Sequence, residues 1–111
     1  MSAESDFSAL ADRVLKAIGG ALDAADADVD WTLNDGVLEI DCGAGGKLIV
    51  NRHLPSREIW VAARSGGFHY RSDAGEWRDT RSGTELGQAL ANLLRAQADI
   101  DVAFPKLPPP G

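Results

Sequence analysis

Two histidines, one cysteine and seventeen carboxylates are the side chains of this sequence with chemistry to offer. Neither His53 nor His69 has a second histidine four residues away on a helix, the spacing by which a zinc peptidase points two imidazoles at one ion. With Cys42 alone, a structural zinc site would need an unusual ligand set, and no intrachain disulfide can form. The run Gly43-Ala44-Gly45-Gly46-Lys47 fails as a phosphate loop. Asp41 stands where the first glycine belongs, Leu48 follows the lysine in place of Ser or Thr, and a strand pattern follows instead of a helix. It reads as a plain turn. No serine occupies a G-x-S-x-G elbow. Cys42 alternates with Leu38 and Ile40, which reads as a buried, inert thiol, and His69 reads as a surface residue beside Phe68 and Tyr70. No set of residues here reads as an independent enzyme.

The carboxylates remain, and they are unevenly placed. Residues 1–42 hold ten of them against Arg13 and Lys16, a net of −8, whereas residues 43–111 carry a net of +2. An acidic front end argues against nucleic acid or an anionic membrane as partner. It favours cations or a basic protein surface. Carboxylate oxygens suit hard cations, including ferric and, at the borderline, ferrous iron. The plainer reading, that these charges only solubilise a helix, stands beside it.

A second feature is Trp60, in the run Glu58-Ile59-Trp60-Val61-Ala62-Ala63. Successive side chains of a strand point to opposite faces, so if Ile59 and Val61 enter a core, Trp60 points out. Burying an indole removes about 150–250 Å² from water, and tryptophan is enriched among the residues that dominate interfaces. Trp60 therefore reads as a protein-binding anchor. The competing reading is that neighbours on the sheet shield it.

The elements that must position these groups are legible as periods. Phe7, Leu10, Ala11, Val14, Ile18, Ala21, Leu22 and Ala25 recur at spacings of three and four, one face of a helix capped by Ser2 or Ser5. Asp12, Lys16, Gly19, Gly20, Asp23 and Asp26 fall on the opposite face. Short strands follow at 29–33, 37–42, 47–51, 58–63, 68–71 and 76–78. Turn residues at Asn34-Asp35-Gly36, 43–46, Ser65-Gly66-Gly67 and Asp73-Ala74-Gly75 join them into an antiparallel meander, with Pro55 in the third connection. Thr84 is expected to cap a second helix whose apolar face holds Leu86, Ala89, Leu90, Leu93 and Leu94. Residues 99–104 add a final strand or pack back on the helices, and the proline-rich end is expected to be extended or disordered.

Helix, six strands, helix in 111 residues predicts an α+β fold, a two-layer α-β sandwich with both helices on one face of an antiparallel sheet of about six strands. Residues 1–104 form the single domain and 105–111 the tail. No segment reaches the ~18 consecutive apolar residues of a membrane span. The acidic N-terminus lacks a signal-peptide layout, and the lone cysteine fits a reducing, cytoplasmic setting.

The run "VNRHLPSREIWVAARSGGFHY", followed by "EWRDTRSG" and a helix, resembles the frataxin family and, within it, the bacterial CyaY branch. The features that match are Asn51-Arg52 at a strand end, Pro55 in the loop, "IWVA", a Ser-Gly-Gly turn, the aromatic-His-aromatic strand and Glu76-Trp77. "SDFSALADRVL" and "NDGVLEI" fit the same family's first helix and hairpin, so the resemblance runs from about Ser5 to Phe104. It implies a frataxin-like sandwich and a cytoplasmic role in iron–sulfur cluster assembly. The partners it implies are a cysteine desulfurase and its scaffold protein, the expected state is a monomer, and iron is bound weakly through an acidic ridge. On this chain that ridge is Asp12, Asp23, Asp26, Asp28 and Asp30, and the partner-binding positions are Asn51, His53 and Trp60.

The sequence also departs from the family. Gly19 and Gly20 stand where bacterial relatives commonly carry two glutamates, Ala24 replaces a position that is often acidic, and His53 replaces a frequent glutamine. The ridge is thinner, and glutamate at both glycines is expected to strengthen helix and ridge together. Two other readings stay open: an iron store or ferroxidase working through iron-driven oligomers, and a structural adaptor without metal binding.

Overall fold

A computed structural model describes residues 3–109 of the chain. Ser2, one of the two expected caps, lies outside the described residues, as do Pro110 and Gly111 of the tail. Helix α1 spans Ala3–Ala24, so Ser5 lies within it and does not cap it. The strands are β1 (Asp30–Asn34), β2 (Val37–Asp41), β3 (Lys47–His53), β4 (Glu58–Ala63), β5 (Gly66–Asp73) and β6 (Glu76–Asp79), and α2 spans Leu86–Ala98. The strands pair in chain order, all antiparallel. Both helices lie against this one sheet, α1 over β1 to β3 and α2 towards β6 and the 3-10 turn at Gly43–Gly45. No helix of the described residues is long and apolar enough to cross a membrane.

The meander follows from its turns. Asp35 and Gly36 both have positive φ, 49° and 78°, the mirror-image turn whose twist matches two paired strands. Ala74 and Gly75 repeat the device between β5 and β6 at 54° and 80°. Between β4 and β5 the connection is Arg64-Ser65, because Ala63 pairs with Gly66. Gly66 and Gly67 are strand residues and not the turn expected there.

One face of the sheet is closed. Leu38, Ile40, Leu48, Val50, Ile59, Val61, Tyr70 and Trp77 are buried against Phe7, Ala11, Val14, Leu15, Ile18 and Leu22 of α1 and Leu86, Leu90 and Leu94 of α2. The ring of Phe7 meets that of Trp77 edge-on, centroids 6.1 Å apart. Gln97 of α2 is buried and ties the layers together. Its side-chain oxygen accepts from the Arg64 backbone N–H at 3.0 Å, and its amide donates to the Gly45 carbonyl at 3.1 Å.

Three expectations need correction. Glu85, not Thr84, caps α2, its carboxylate accepting from the N–H groups of Gly87 and Gln88. The Thr84 carbonyl is engaged by Asp79 N–H, and Glu85 bridges to Arg78 in extended backbone, so the helix starts one residue later. The segment after α2 forms no strand but packs back, burying Val102. The described part of the proline-rich tail is held as well: Leu107 is buried, and the Pro108 carbonyl accepts from Trp77 Nε1 at 3.0 Å.

The third correction concerns the glycine pair. Gly20 faces open space, but Gly19 is buried beneath the Trp31 indole, where an added Cβ would lie 2.7 Å from Trp31 Cη2. The apolar face of α1 is therefore wider than its period suggested. Glutamate at Gly19 would displace Trp31 and is not a ridge substitution. Gly20→Ala is expected to stabilise the protein by about 0.8–1.0 kcal/mol through helix propensity, and Gly19→Ala to destabilise it by about 1–3 kcal/mol through overpacking. Urea unfolding of the two single variants checks the opposite signs, and a gain at both positions would show that the indole yields freely.

Candidate functional site

The open face of the sheet is built by the strands' second parity. Ile59 and Val61 are buried under the helices, and Trp60 lies half-buried on the other side. The outward facing of Trp60 holds, yet its ring is not free. It is stacked between His53 of β3, centroid 3.7 Å away and 10° from parallel, and His69 of β5, 4.2 Å away and 8° from parallel. Both readings of Trp60 are thus partly met, since it faces out and its neighbours cover both π-faces.

Register explains the stack. Val37, Asn51, Trp60 and His69 form one row across β2 to β5, each paired with the next. Val37 is the exposed large apolar residue among the described ones. His53 pairs with Glu58, one step along. His69 and Val37 were not read as part of this surface from sequence. The signal for His69 was the β4–β5 turn: placed at Arg64-Ser65, it sets His69 against Trp60, whereas a turn at Ser65-Gly66-Gly67 hides the pairing.

Beneath the stack lies Glu58, buried although on the open side. Its Oε1 accepts from Trp60 Nε1 at 2.8 Å and from Ser56 Oγ at 3.0 Å, and its Oε2 accepts from Arg71 Nε at 3.0 Å and Nη2 at 2.7 Å. Burial alone pushes its carboxyl upward. The hydrogen bonds from Trp60, Arg71 and Ser56, with the Arg71 charge, outweigh burial together and hold it below the usual glutamate range.

The acidic residues are arranged differently. Asp12 is in an ion pair with Arg52, which extends from β3 under the sheet to meet it at 2.6 Å and reaches Asp35 at 3.4 Å. Asp23 accepts from Trp31 Nε1 at 2.9 Å. Asp26 is exposed just past α1 with φ of 50°. Asp28 and Asp30 are exposed and line a shallow depression with Asp41 and Cys42. Asp12 and Asp23, eleven positions apart at 1.5 Å rise per residue, are about 16 Å apart along the helix axis and cannot share an ion. Among the described residues, no three His, Cys, Asp or Glu side chains converge to hold a metal. Cys42 is half-buried, less than its alternation implied. Burial, and then the Asp41 charge, push its thiol up, so it stays protonated and unreactive.

A family model described as a frataxin-like domain matches residues 1–100. The chain is similar to the iron–sulfur cluster assembly protein CyaY of Dechloromonas aromatica (strain RCB), 52% identical over 96 residues that cover 86% of this chain and 91% of the relative. It is 45% identical to the CyaY protein of Cupriavidus taiwanensis over 105 residues, 91% of this chain and 95% of that one. Among solved structures, frataxin from Psychromonas ingrahamii superposes with a TM-score of 0.85 at 33% identity, covering 93% of this chain and 98% of its own. A trimeric frataxin from the yeast Saccharomyces cerevisiae, complexed with ferrous iron, superposes at 0.71 with 27% identity, covering 81% of this chain and 86% of its own.

The lowered Glu58 carboxyl fixes a sign. A depressed folded-state pKa contributes stability above the unfolded value, about 4.3 for glutamate, and that stability is lost as pH falls through the folded value. The stability difference between the parent and Glu58→Gln should stay constant above about pH 5 and shrink on acidification below about pH 4.3. Urea unfolding across this range measures it, and a difference that grows on acidification would reverse the assignment.

Proposed function

The chain belongs to the frataxin family, and from that premise we propose that it is a non-enzymatic, cytoplasmic regulator of iron–sulfur cluster assembly. It acts as a monomer that binds the cysteine desulfurase and its scaffold protein. One observation carries the partner-binding part: Trp60 faces away from both helices, held in a stack beside Asn51 on a sheet face that no element of the described chain covers. An indole fixed before encounter loses less conformational entropy on binding than a mobile one. His53, proposed with Asn51 and Trp60 as a contact, supplies one outer plate of that stack.

Iron enters as cargo at exposed oxygen donors. Asp26, Asp28 and Asp30 are the ridge positions without a printed cationic or indole partner, and they lie together around the α1–β1 connection. Asp23 shares one oxygen with Trp31, and Asp12 is neutralised by Arg52. A dispersed, solvent-facing set of carboxylates supports weak binding of ferrous or ferric iron. The alternative, an iron store or ferroxidase built by iron-driven oligomers, draws support from the trimeric, iron-complexed yeast relative. Sedimentation during anaerobic ferrous titration separates the two readings, because the regulator stays monomeric as iron binds.

Two outcomes follow. Trp60→Ala should leave the unfolding free energy within about 2 kcal/mol of the parent, because it removes one hydrogen bond and two ring contacts without opening the core. It should weaken scaffold binding by 2 kcal/mol or more, on the order of thirtyfold. Calorimetric titration with the scaffold reads the second effect, and a collapse of stability with unchanged binding would place Trp60 in the core's service alone. For iron, Asp26→Asn with Asp28→Asn should lower ferrous affinity, whereas Asp12→Asn should leave it unchanged. Affinity that follows Asp12, or tight binding at the histidines, would sink this placement of the ridge.

A further inference from the structure

Glu58 is unusual for its position. A carboxylate on the solvent side of a sheet is ordinarily wet, yet the Glu58 side chain is only 4% exposed. What covers it is the surface it serves. Trp60, Ser56 and Arg71 converge on its two oxygens, and His69 Nδ1 lies 3.9 Å from Oε1, beyond hydrogen-bond reach but close enough to feel its charge.

The protons of this network can be placed. Ser56 has one hydroxyl hydrogen, and it donates to Glu58 Oε1. The 2.6 Å contact between Ser56 Oγ and His53 Nδ1 must then run the other way, with His53 donating from Nδ1. A single carboxylate oxygen thus fixes the direction of the indole N–H and, through Ser56, the orientation and tautomer of the imidazole stacked on one face of that indole. On the other face, His69 is set by its register opposite Trp60. Arg71 is free to bind Oε2 because its cross-strand neighbour Arg78 is itself taken up by Glu76 and the Gly83 carbonyl. The indole cannot change rotamer without leaving Glu58 and unstacking both rings.

We propose that Glu58 is the positioning residue of this surface: it orders the His53–Trp60–His69 stack in advance, so that a partner meets Trp60 in one orientation. The inference rests on the reading that the Trp60 face binds the scaffold protein, and it adds a residue that itself need not touch that partner.

Two variants of the full chain test it, each read by the indole N–H resonance of Trp60 in 15N NMR and by calorimetric titration with the scaffold. Glu58→Ala should shift and broaden the Trp60 indole signal and weaken scaffold binding on the order of tenfold, the worth of one charged hydrogen bond. Glu58→Gln keeps an oxygen that can accept from Trp60 and Ser56, so it should restore the indole signal and most of the affinity. A purely structural role would change thermal stability without this pairing of signal and rescue. An unmoved Trp60 resonance in Glu58→Ala would overturn the proposal, since the stack would then stand without the carboxylate. So would a shifted resonance with parent-like scaffold affinity, provided Trp60→Ala weakens binding. If Trp60→Ala binds as the parent does, the partner-surface reading is what fails, and the resonance alone still decides whether Glu58 orders the stack.

Discussion

All of the structure depends on one-sided burial of the sheet. Six short strands alternate side chains between two faces, and the two helices can close only one of them. The closed face takes Leu, Ile, Val and two aromatic rings, Tyr70 and Trp77, into a continuous core. Tyr70 is buried deeply enough that desolvation, with the charges of Asp79 and Glu85, pushes its phenol far above the usual range. Everything placed at the other parity must then be stable in contact with water or be covered by its own neighbours. Trp60 and Glu58 are covered by neighbours, and the face keeps an organised aromatic centre without a third layer.

The same constraint shapes the acidic helix. Arg52 belongs to the closed parity of β3, where a charge cannot remain unpaired, and it reaches Asp12 and Asp35 at the rim between α1 and the first hairpin. Its side chain is 20% exposed, so the pair is worth more than the ~0–1 kcal/mol of a fully exposed one. Trp31 closes the edge of the core by lying on Gly19, with its indole N–H on Asp23. Two carboxylates of the ridge are therefore also parts of the scaffold that holds α1 down. The glycine that thins the ridge is the residue that makes room for the indole.

Asymmetry of charge and of partner chemistry go together. The acidic residues of the first helix and hairpin and the aromatic centre of the sheet lie on different surfaces, one on the α1–β1 edge and one on the open face. A protein of this size can thereby offer a cation-binding or basic-partner edge and an aromatic docking face at once. Neither demands a cavity, which suits a protein that binds and regulates.

The sequence by itself determined the order of elements, the parity of β4 and the tight turns at Asp35-Gly36 and Ala74-Gly75. Each of these is local: a period of two, a period of 3.6, or a residue able to hold positive φ. The fold class followed, and so did the family, from a run of residues long enough to be specific. Tertiary structure decided what local patterns do not encode. Whether Gly19 faces solvent depends on Trp31, twelve residues away on another element. Whether Asp12 can hold a cation depends on Arg52, forty residues on. The cap of α2 moved to Glu85 because β6 claims the Thr84 carbonyl. His69 became half of a stack, and Glu58 a buried hub, because hairpin register set them beside Trp60. Pairing partners are chosen by closure of the whole sheet, and no window of neighbouring residues contains that information.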